Sequence, residues 1–278
     1  MKWNIVTDSS CDLFPAALQN GEVQISSVPF IISVGNRDFV DDETLNTAEM
    51  LDAMERCQQA SHTSCPSPQG WLEQFGKADF CIAITISSRL SGSMNSAVLA
   101  KEMVLERCPT KKIAVLDSHS TGPEIAMCVK KICDLIEAGA DFEKVVSEAE
   151  TFLRDTHIVF ALSSFNNLVK NGRMSKIAGF IASKLGMWGI GIGSDEGTIS
   201  IKGKTRGTAK AIAMLLEDMK ERGFRGGKVT ISQCHNSDFA DKLQNKIKEL
   251  WQDAKISIIP TRGLCSYYAE RGGLIISY

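Results

Sequence analysis

The stretch Phe80-Cys81-Ile82-Ala83-Ile84-Thr85-Ile86-Ser87-Ser88-Arg89-Leu90-Ser91-Gly92-Ser93 decides the fold class. Its opening run, Phe80–Ile86, is apolar except for Thr85, as expected of a strand buried on both faces of a parallel sheet. A hydroxyl-rich turn follows. Beyond it Met94, Ala97, Val98 and Val104 mark one face of a helix that Ser91 is placed to cap. Strand, turn and helix in this order are the building unit of an α/β sheet. Working outward, Ile113–Leu116 is a second buried run, and Trp3–Thr7 is a short β-rich run ending in Asp-Ser-Ser. Val23–Val34 reads as extended, with Gly35-Asn36 as the hairpin turn into Arg37–Val40. Ile125, Cys128, Val129, Ile132 and Ile136 mark a helix opened by Ser120-Thr121-Gly122-Pro123 and closed by Gly139. Asp141 starts another, with Val145, Val146, Ala149 and Phe152 inward. The alternation predicts a three-layer, parallel-sheet α/β domain over residues 1–160.

After residue 160 the pattern changes. Helical stretches at Ser164–Lys170 and Lys176–Leu185 lead to strands at Met187–Ile192 and Thr198–Lys202, joined by a Gly-Ser-Asp-Glu-Gly turn. A long helix over Thr208–Glu221, a strand at Lys228–Ser232, a helix over Ser237–Trp251 and strands at Lys255–Ile259 and Leu274–Ser277 follow. Hairpins mixed with long helices predict a smaller α+β domain over 161–278. The charge of −2 gives no bulk attraction to nucleic acid or to an anionic membrane. No apolar run reaches the length of a membrane span, and the start of the chain does not read as a secretory signal. The nine cysteines are odd in number and scattered, with no metal-ligand spacing, so they read as core hydrophobes in a reducing, cytoplasmic protein.

Five segments carry candidate chemistry. Asp8-Ser9-Ser10-Cys11-Asp12-Leu13 follows the first strand, where α/β sheets form their ligand crevice; its groups either bind a polar ligand or cap a helix. Ser61-His62-Thr63-Ser64-Cys65-Pro66-Ser67-Pro68 reads as a rigid extended loop that lines a pocket or simply enters a helix. The Ser87–Ser93 turn offers N–H groups at a helix N-terminus to an anion; Leu90-Ser91-Gly92 does not fit the Gly-x-Ser-x-Gly nucleophile elbow. Between Ser164 and Arg206 seven basic residues (170, 173, 176, 184, 202, 204 and 206) face two acidic ones, Asp195 and Glu196: a docking surface or a solvated face. Arg262, in Pro260-Thr261-Arg262-Gly263-Leu264-Cys265-Ser266, suits a carboxylate or a surface salt bridge. Phe30, Ile31, Ile32, Phe180, Ile181, Leu185, Met187 and Trp188 supply apolar wall or ordinary core. Neither a paired-carboxylate acid and base nor a metal set is present, and none of the four histidines (62, 119, 157 and 235) lies in a motif that sets it beside Ser91 or Ser93. The inventory favours anion binding over covalent chemistry.

The order of segments resembles the DegV family of fatty-acid-binding proteins. The match rests on Ile5–Leu13, Thr63–Pro68, Ile86–Ser93, Val115–Ser118, Leu168–Lys176 and Lys204–Gly207, and extends over nearly the whole chain. The resemblance implies a two-domain protein with a long-chain fatty acid buried between the domains. Its carboxylate would be held by Thr63, with Ser64 beside it, and by Ser91 or Ser93 of the Ser91-Gly92-Ser93 turn. It also implies an acyl carrier without catalytic machinery, metal or other cofactor, serving a separate ATP-using fatty-acid kinase subunit, with Arg173, Lys176 and Arg206 as the expected docking residues. Where the family often has Gly-Thr-His near the C-terminus, this chain has Pro260-Thr261-Arg262, which puts a permanent charge near the expected head group. The glycines usual after that position are replaced by Leu264-Cys265-Ser266. Two other readings stand beside this one: a hydrolase or transferase using Ser91 or Ser93, and a regulatory protein that senses lipid.

Overall fold

Trp3–Asp8 (β1) is buried at all six positions, the polar Asn4, Thr7 and Asp8 included, and lies inside a parallel sheet. The computed structural model describes residues 2–15, 23–174 and 186–278. In chain order the first half continues with β2 (Val23–Val28), β3 (Ile31–Val34), β4 (Arg37–Val40), α1 (Thr47–Arg56), β5 (Ser61–Ser64), α2 (Pro68–Phe75), β6 (Phe80–Thr85), α3 (Ser93–Arg107), β7 (Lys112–Asp117), α4 (Pro123–Glu137) and α5 (Phe142–Asp155). The second half holds β8 (Ile158–Leu162), α6 (Asn166–Lys170), β9 (Met187–Gly193), β10 (Ile199–Arg206), α7 (Thr208–Glu221), β11 (Lys228–Gln233), α8 (Ser237–Leu250), β12 (Lys255–Pro260), α9 (Gly263–Ala269) and β13 (Leu274–Ser277).

The first sheet has the order β2-β1-β6-β7, all parallel. One face buries Val6, Cys81 and Ala83 under Trp71 and Phe75 of α2 and Ala97, Ala100 and Val104 of α3. The other buries Ile5, Ile82 and Ile84 under Ile125, Val129 and Ile132 of α4 and Val145 and Ala149 of α5. This is the three-layer α/β domain that the periodicity predicts. Pro123 opens α4 and Asp141 caps α5 by accepting the Lys144 N–H.

The second sheet, β10-β9-β8-β13-β11-β12, is antiparallel except for β11 beside β12. Its outer face packs on α7 and α8 through Leu215, Met219, Phe239, Leu243 and Ile247. Its inner face, with Phe160, Leu162 and Ile275, meets α1, α6, α9 and the small antiparallel sheet β4-β3-β5. The extended stretch after residue 23 is therefore two strands in two sheets, broken at Pro29-Phe30. Gly35 (φ 61°) and Asn36 make the two-residue turn between β3 and β4, whose register pairs Val34 with Arg37. Ile158 already pairs in the second sheet, so we propose the division between domains at Thr156-His157, just ahead of β8, instead of at residue 160.

One close approach shapes the inner face. Gly191 on β9 lies opposite Phe160 on β8, and a Cβ there would sit 2.4 Å from the phenyl ring. Only glycine leaves the ring its place on the inner face of the sheet.

Candidate ligand-binding site

The turn after β6 is held from below by Asp8, the last residue of β1. One carboxylate oxygen accepts the Ile86 N–H at 3.0 Å and the Ser93 hydroxyl at 2.6 Å; the other accepts the N–H and hydroxyl of Ser10. Burial pushes the Asp8 carboxyl above its ordinary range, and these four donors pull against that shift. The Asp-Ser-Ser motif thus serves as scaffold for the neighbouring turn. Gly92, not Ser91, is the cap residue of α3, and Ser91 accepts the Ser93 N–H at 3.2 Å.

Thr63 comes from the other side. It sits on β5, paired with Ile32 of β3, so a strand holds it and not the loop that its prolines suggest. Those prolines act next: Ser67 caps α2 and Pro68 opens it. The Thr63 hydroxyl lies 3.0 Å from the hydroxyl of Tyr268 on α9. Cys65 adjoins Gly92, its sulfur 3.5 Å from where a Cβ would stand. The Arg173 side chain closes the group by donating Nε–H to the Leu90 carbonyl at 3.1 Å.

These residues rim a cavity of about 410 Å³, within the roughly 300–1,000 Å³ of small-molecule sites. Its other walls are apolar: Phe30, Ile86, Ile158, Phe160, Leu162, Leu168, Ile199, Leu264 and Ile275. Ser120 and Thr121 also border it, but their hydroxyls are engaged, Ser120 donating to Glu124 at 2.8 Å and Thr121 lying 3.5 Å from the Cys265 sulfur. Such a site accommodates a long apolar molecule with one acceptor-rich end. Among the described residues no group of three or more His, Cys, Asp or Glu side chains could hold a metal ion, and no helix is long and apolar enough to cross a membrane.

Of the residues proposed from sequence, Thr63, Ser64, Ser91 and Gly92 line this cavity. Ser93 does not: it is fully buried and its hydroxyl belongs to Asp8. Arg262 does not either. It is 1% exposed and donates to the Ser27 hydroxyl at 3.1 Å and to the Asp41 carbonyl at 3.0 Å, with its guanidinium 5.0 Å from the Phe14 ring centroid. Its backbone N–H goes to Asp12, and the Asp41 carboxylate accepts the N–H groups of Gly263 and Leu264 at the start of α9. Burial raises the carboxyls of both acids, Asp12 to about 7, and Arg262 opposes that rise at Asp41. Asp12 also explains Gly122, at φ 55°, where a Cβ would meet its free carboxylate oxygen at 2.8 Å. Arg262 is thus the internal counter-charge of a joint that ties the loop after β1 to the ends of β4 and β12, with both terminal nitrogens donating there.

The basic residues separate as well. Arg173 lines the cavity, whereas Arg206 is exposed at the end of β10. Lys176, the predicted helix Lys176–Leu185 and the apolar Phe180, Ile181 and Leu185 lie outside the described residues. Trp188 faces away from the cavity and packs on Phe239 of α8.

Among the wall residues that sequence reasoning missed are His119 and Tyr268. His119 reaches the cavity from a left-handed backbone position (φ 51°), its Nε2 3.9 Å from Asp117, and no hydrogen bond joins it to Ser91 among the described residues. Tyr268 was hidden because α9 has neither a side-chain cap nor a readable apolar period. The one signal was that two of the chain's three tyrosines, Tyr267 and Tyr268, stand together.

Comparison with known proteins places these features in a family. The DegV family, described as "Uncharacterised protein, DegV family", matches residues 2–278. A DegV domain-containing protein of Streptococcus pyogenes serotype M1 is 40% identical over 278 residues, covering 100% of this chain and 99% of the relative. The Streptococcus pneumoniae Fatty Acid Kinase (Fak) B3 protein loaded with linoleic acid superposes with a TM-score of 0.96 at 38% identity, covering 100% of this chain and 99% of that one. A DegV family protein from Eubacterium eligens loaded with heptadecanoic acid gives 0.94 at 36% identity, with 99% and 98% covered. The chain belongs to the DegV family.

Proposed function

We propose that this protein holds a long-chain fatty acid in the cavity between the two sheets, with its carboxylate at Thr63 and Ser91. The observation that carries the reading is the distribution of polarity around the cavity: apolar walls, with the hydroxyls of Thr63, Ser91 and Tyr268 gathered where β5, the Ser87–Gly92 turn and α9 meet, the Thr63–Tyr268 pair and Ser91 each keeping a hydrogen to donate. Burying about 16 methylenes is worth on the order of 10 kcal/mol at ~0.8 kcal/mol each, before ordering costs. A carboxylate at the end of such a chain is costly unless donors meet it. Thr63, Ser91 and Arg173 supply them. Similar proteins that carry linoleic and heptadecanoic acid support the choice of ligand. Denaturing mass spectrometry of protein purified from a bacterial host is expected to release stoichiometric fatty acid. A ligand-free protein that also fails to bind added oleate would sink the proposal.

We further propose that the protein is a carrier and leaves the chemistry to a separate ATP-using kinase subunit, which forms the acyl phosphate. The kinase-associated relative supports this reading. Arg206 is the docking residue to test, because Arg173 faces the cavity and a change there would disturb the ligand as well. Arg206→Glu is expected to bind oleate as the wild type does and to lower acyl-phosphate formation with a fatty-acid kinase subunit at least tenfold. Unchanged turnover would remove Arg206 from the docking surface.

A further inference from the structure

Two consecutive tyrosines of α9 reach alternate residues of β5. Tyr267 lies 2.8 Å from the Ser61 hydroxyl and Tyr268 lies 3.0 Å from that of Thr63. Ser61 and Thr63 share one face of the strand by its period of two. The two rings pack edge to face with centroids 4.8 Å apart, which fixes one against the other.

Their hydrogen bonding differs. Tyr267 is fully buried and has a second partner, accepting the side-chain N–H of Asn171 at 3.0 Å. Tyr268 is half-buried, lines the cavity and has Thr63 as its partner among the described residues. Two hydroxyls joined by one hydrogen bond use one of their two hydrogens and leave the other to donate. The pair therefore delivers one donor in either orientation. A carboxylate is acceptor-only, so it draws that donor from whichever hydroxyl it meets. When Tyr268 donates to Thr63 and Thr63 to the ligand, each bond polarises the next.

Resting on the fatty-acid reading above, we propose that Tyr268 is a positioning residue for the head group: its hydroxyl orients and polarises Thr63 so that the pair donates to a carboxylate. A wall residue that only packs against the chain would treat all heads alike. A residue that sets a donor discriminates an anionic head from a neutral one of the same chain length. Discrimination is therefore the property to measure.

The test uses the full-length protein, wild type and Tyr268→Phe, with oleate and with oleyl alcohol. The variant keeps the ring and removes only the hydroxyl. Its affinity for oleate is expected to fall about 3- to 10-fold, the effect of one net hydrogen bond, while that for oleyl alcohol changes less than twofold. With [1-¹³C]oleate, the bound carboxyl is expected to titrate at higher pH in the variant, since a weakened donor stabilises the anion less. Equal losses for both ligands, or no change for either together with an unmoved titration, would overturn the proposal. Failure of the wild type to show any bound ¹³C signal would overturn the fatty-acid reading itself, and this inference with it.

Discussion

Asp8→Ala is expected to lower the unfolding free energy by about 3–5 kcal/mol, the loss that follows when the buried acceptor of a network is removed and its partners are stranded. Four donors converge on this one side chain, two of them backbone or hydroxyl groups of the turn that carries Ser91. Without the carboxylate, the Ile86 N–H and the Ser93 hydroxyl lose their partner in a region that excludes water. Asp8→Asn should lose less, because its amide oxygen still accepts from one donor pair, although its NH2 sets a donor against the other. Ser93→Ala should cost about 1 kcal/mol and chiefly stability, since the hydroxyl it removes is turned away from the cavity. Urea unfolding of the three variants gives the ranking. An Asp8→Ala protein within about 1 kcal/mol of the wild type would mean that the network is not what holds the turn.

The ranking also shows what could be read from residue types and what could not. Continuous apolar runs at Phe80–Ile86 and Ile113–Leu116 state their environment plainly, because strands buried on both faces favour that composition. Helices with caps are equally plain, as Asp141 and Pro123 show. Polar residues in turns carry no such statement. Asp8, Ser91 and Ser93 stand within one folded cluster, yet only their directions separate the buried strut from the group facing the cavity. Those directions depend on where β1 and β6 end relative to each other.

Arg262 is the clearest case. A lone arginine near a suspected carboxylate site invites pairing with the ligand. That expectation omits two buried acids, Asp12 and Asp41, which lie 250 and 221 residues away in sequence. An internal pairing of such long range has no local signature. The family resemblance shared the blind spot, because it maps positions and leaves side-chain directions open. Tyr268 stands six residues after Arg262, nearly two helical turns on, and it is the side chain that α9 turns towards Thr63.

The double variant Thr63→Val, Ser91→Ala is expected to lose about 10²- to 10⁴-fold in oleate affinity. Hydrogen bonds to a charged group contribute about 1.5–3 kcal/mol each, and every 1.4 kcal/mol is a factor of ten. Each single change should cost about tenfold or more. The double should exceed their product if one hydroxyl takes over part of the other's role in the single variants, since both meet the same carboxylate. Neither substitution disturbs a buried strut: Thr63 is half-buried on an edge of the small sheet, and Ser91 is half-buried above the Asp8 network. Thermal unfolding of the ligand-free variants should therefore stay close to the wild type, which separates lost binding from lost fold. Thr63→Ser restores a hydroxyl without the methyl and is expected to recover most of the affinity. A double variant that binds oleate within threefold of the wild type would move the carboxylate away from these hydroxyls. Arg173, a charged donor on the same rim, would then be the next group to test, by Arg173→Met, with the loss expected to grow as pH rises and the free acid ionises.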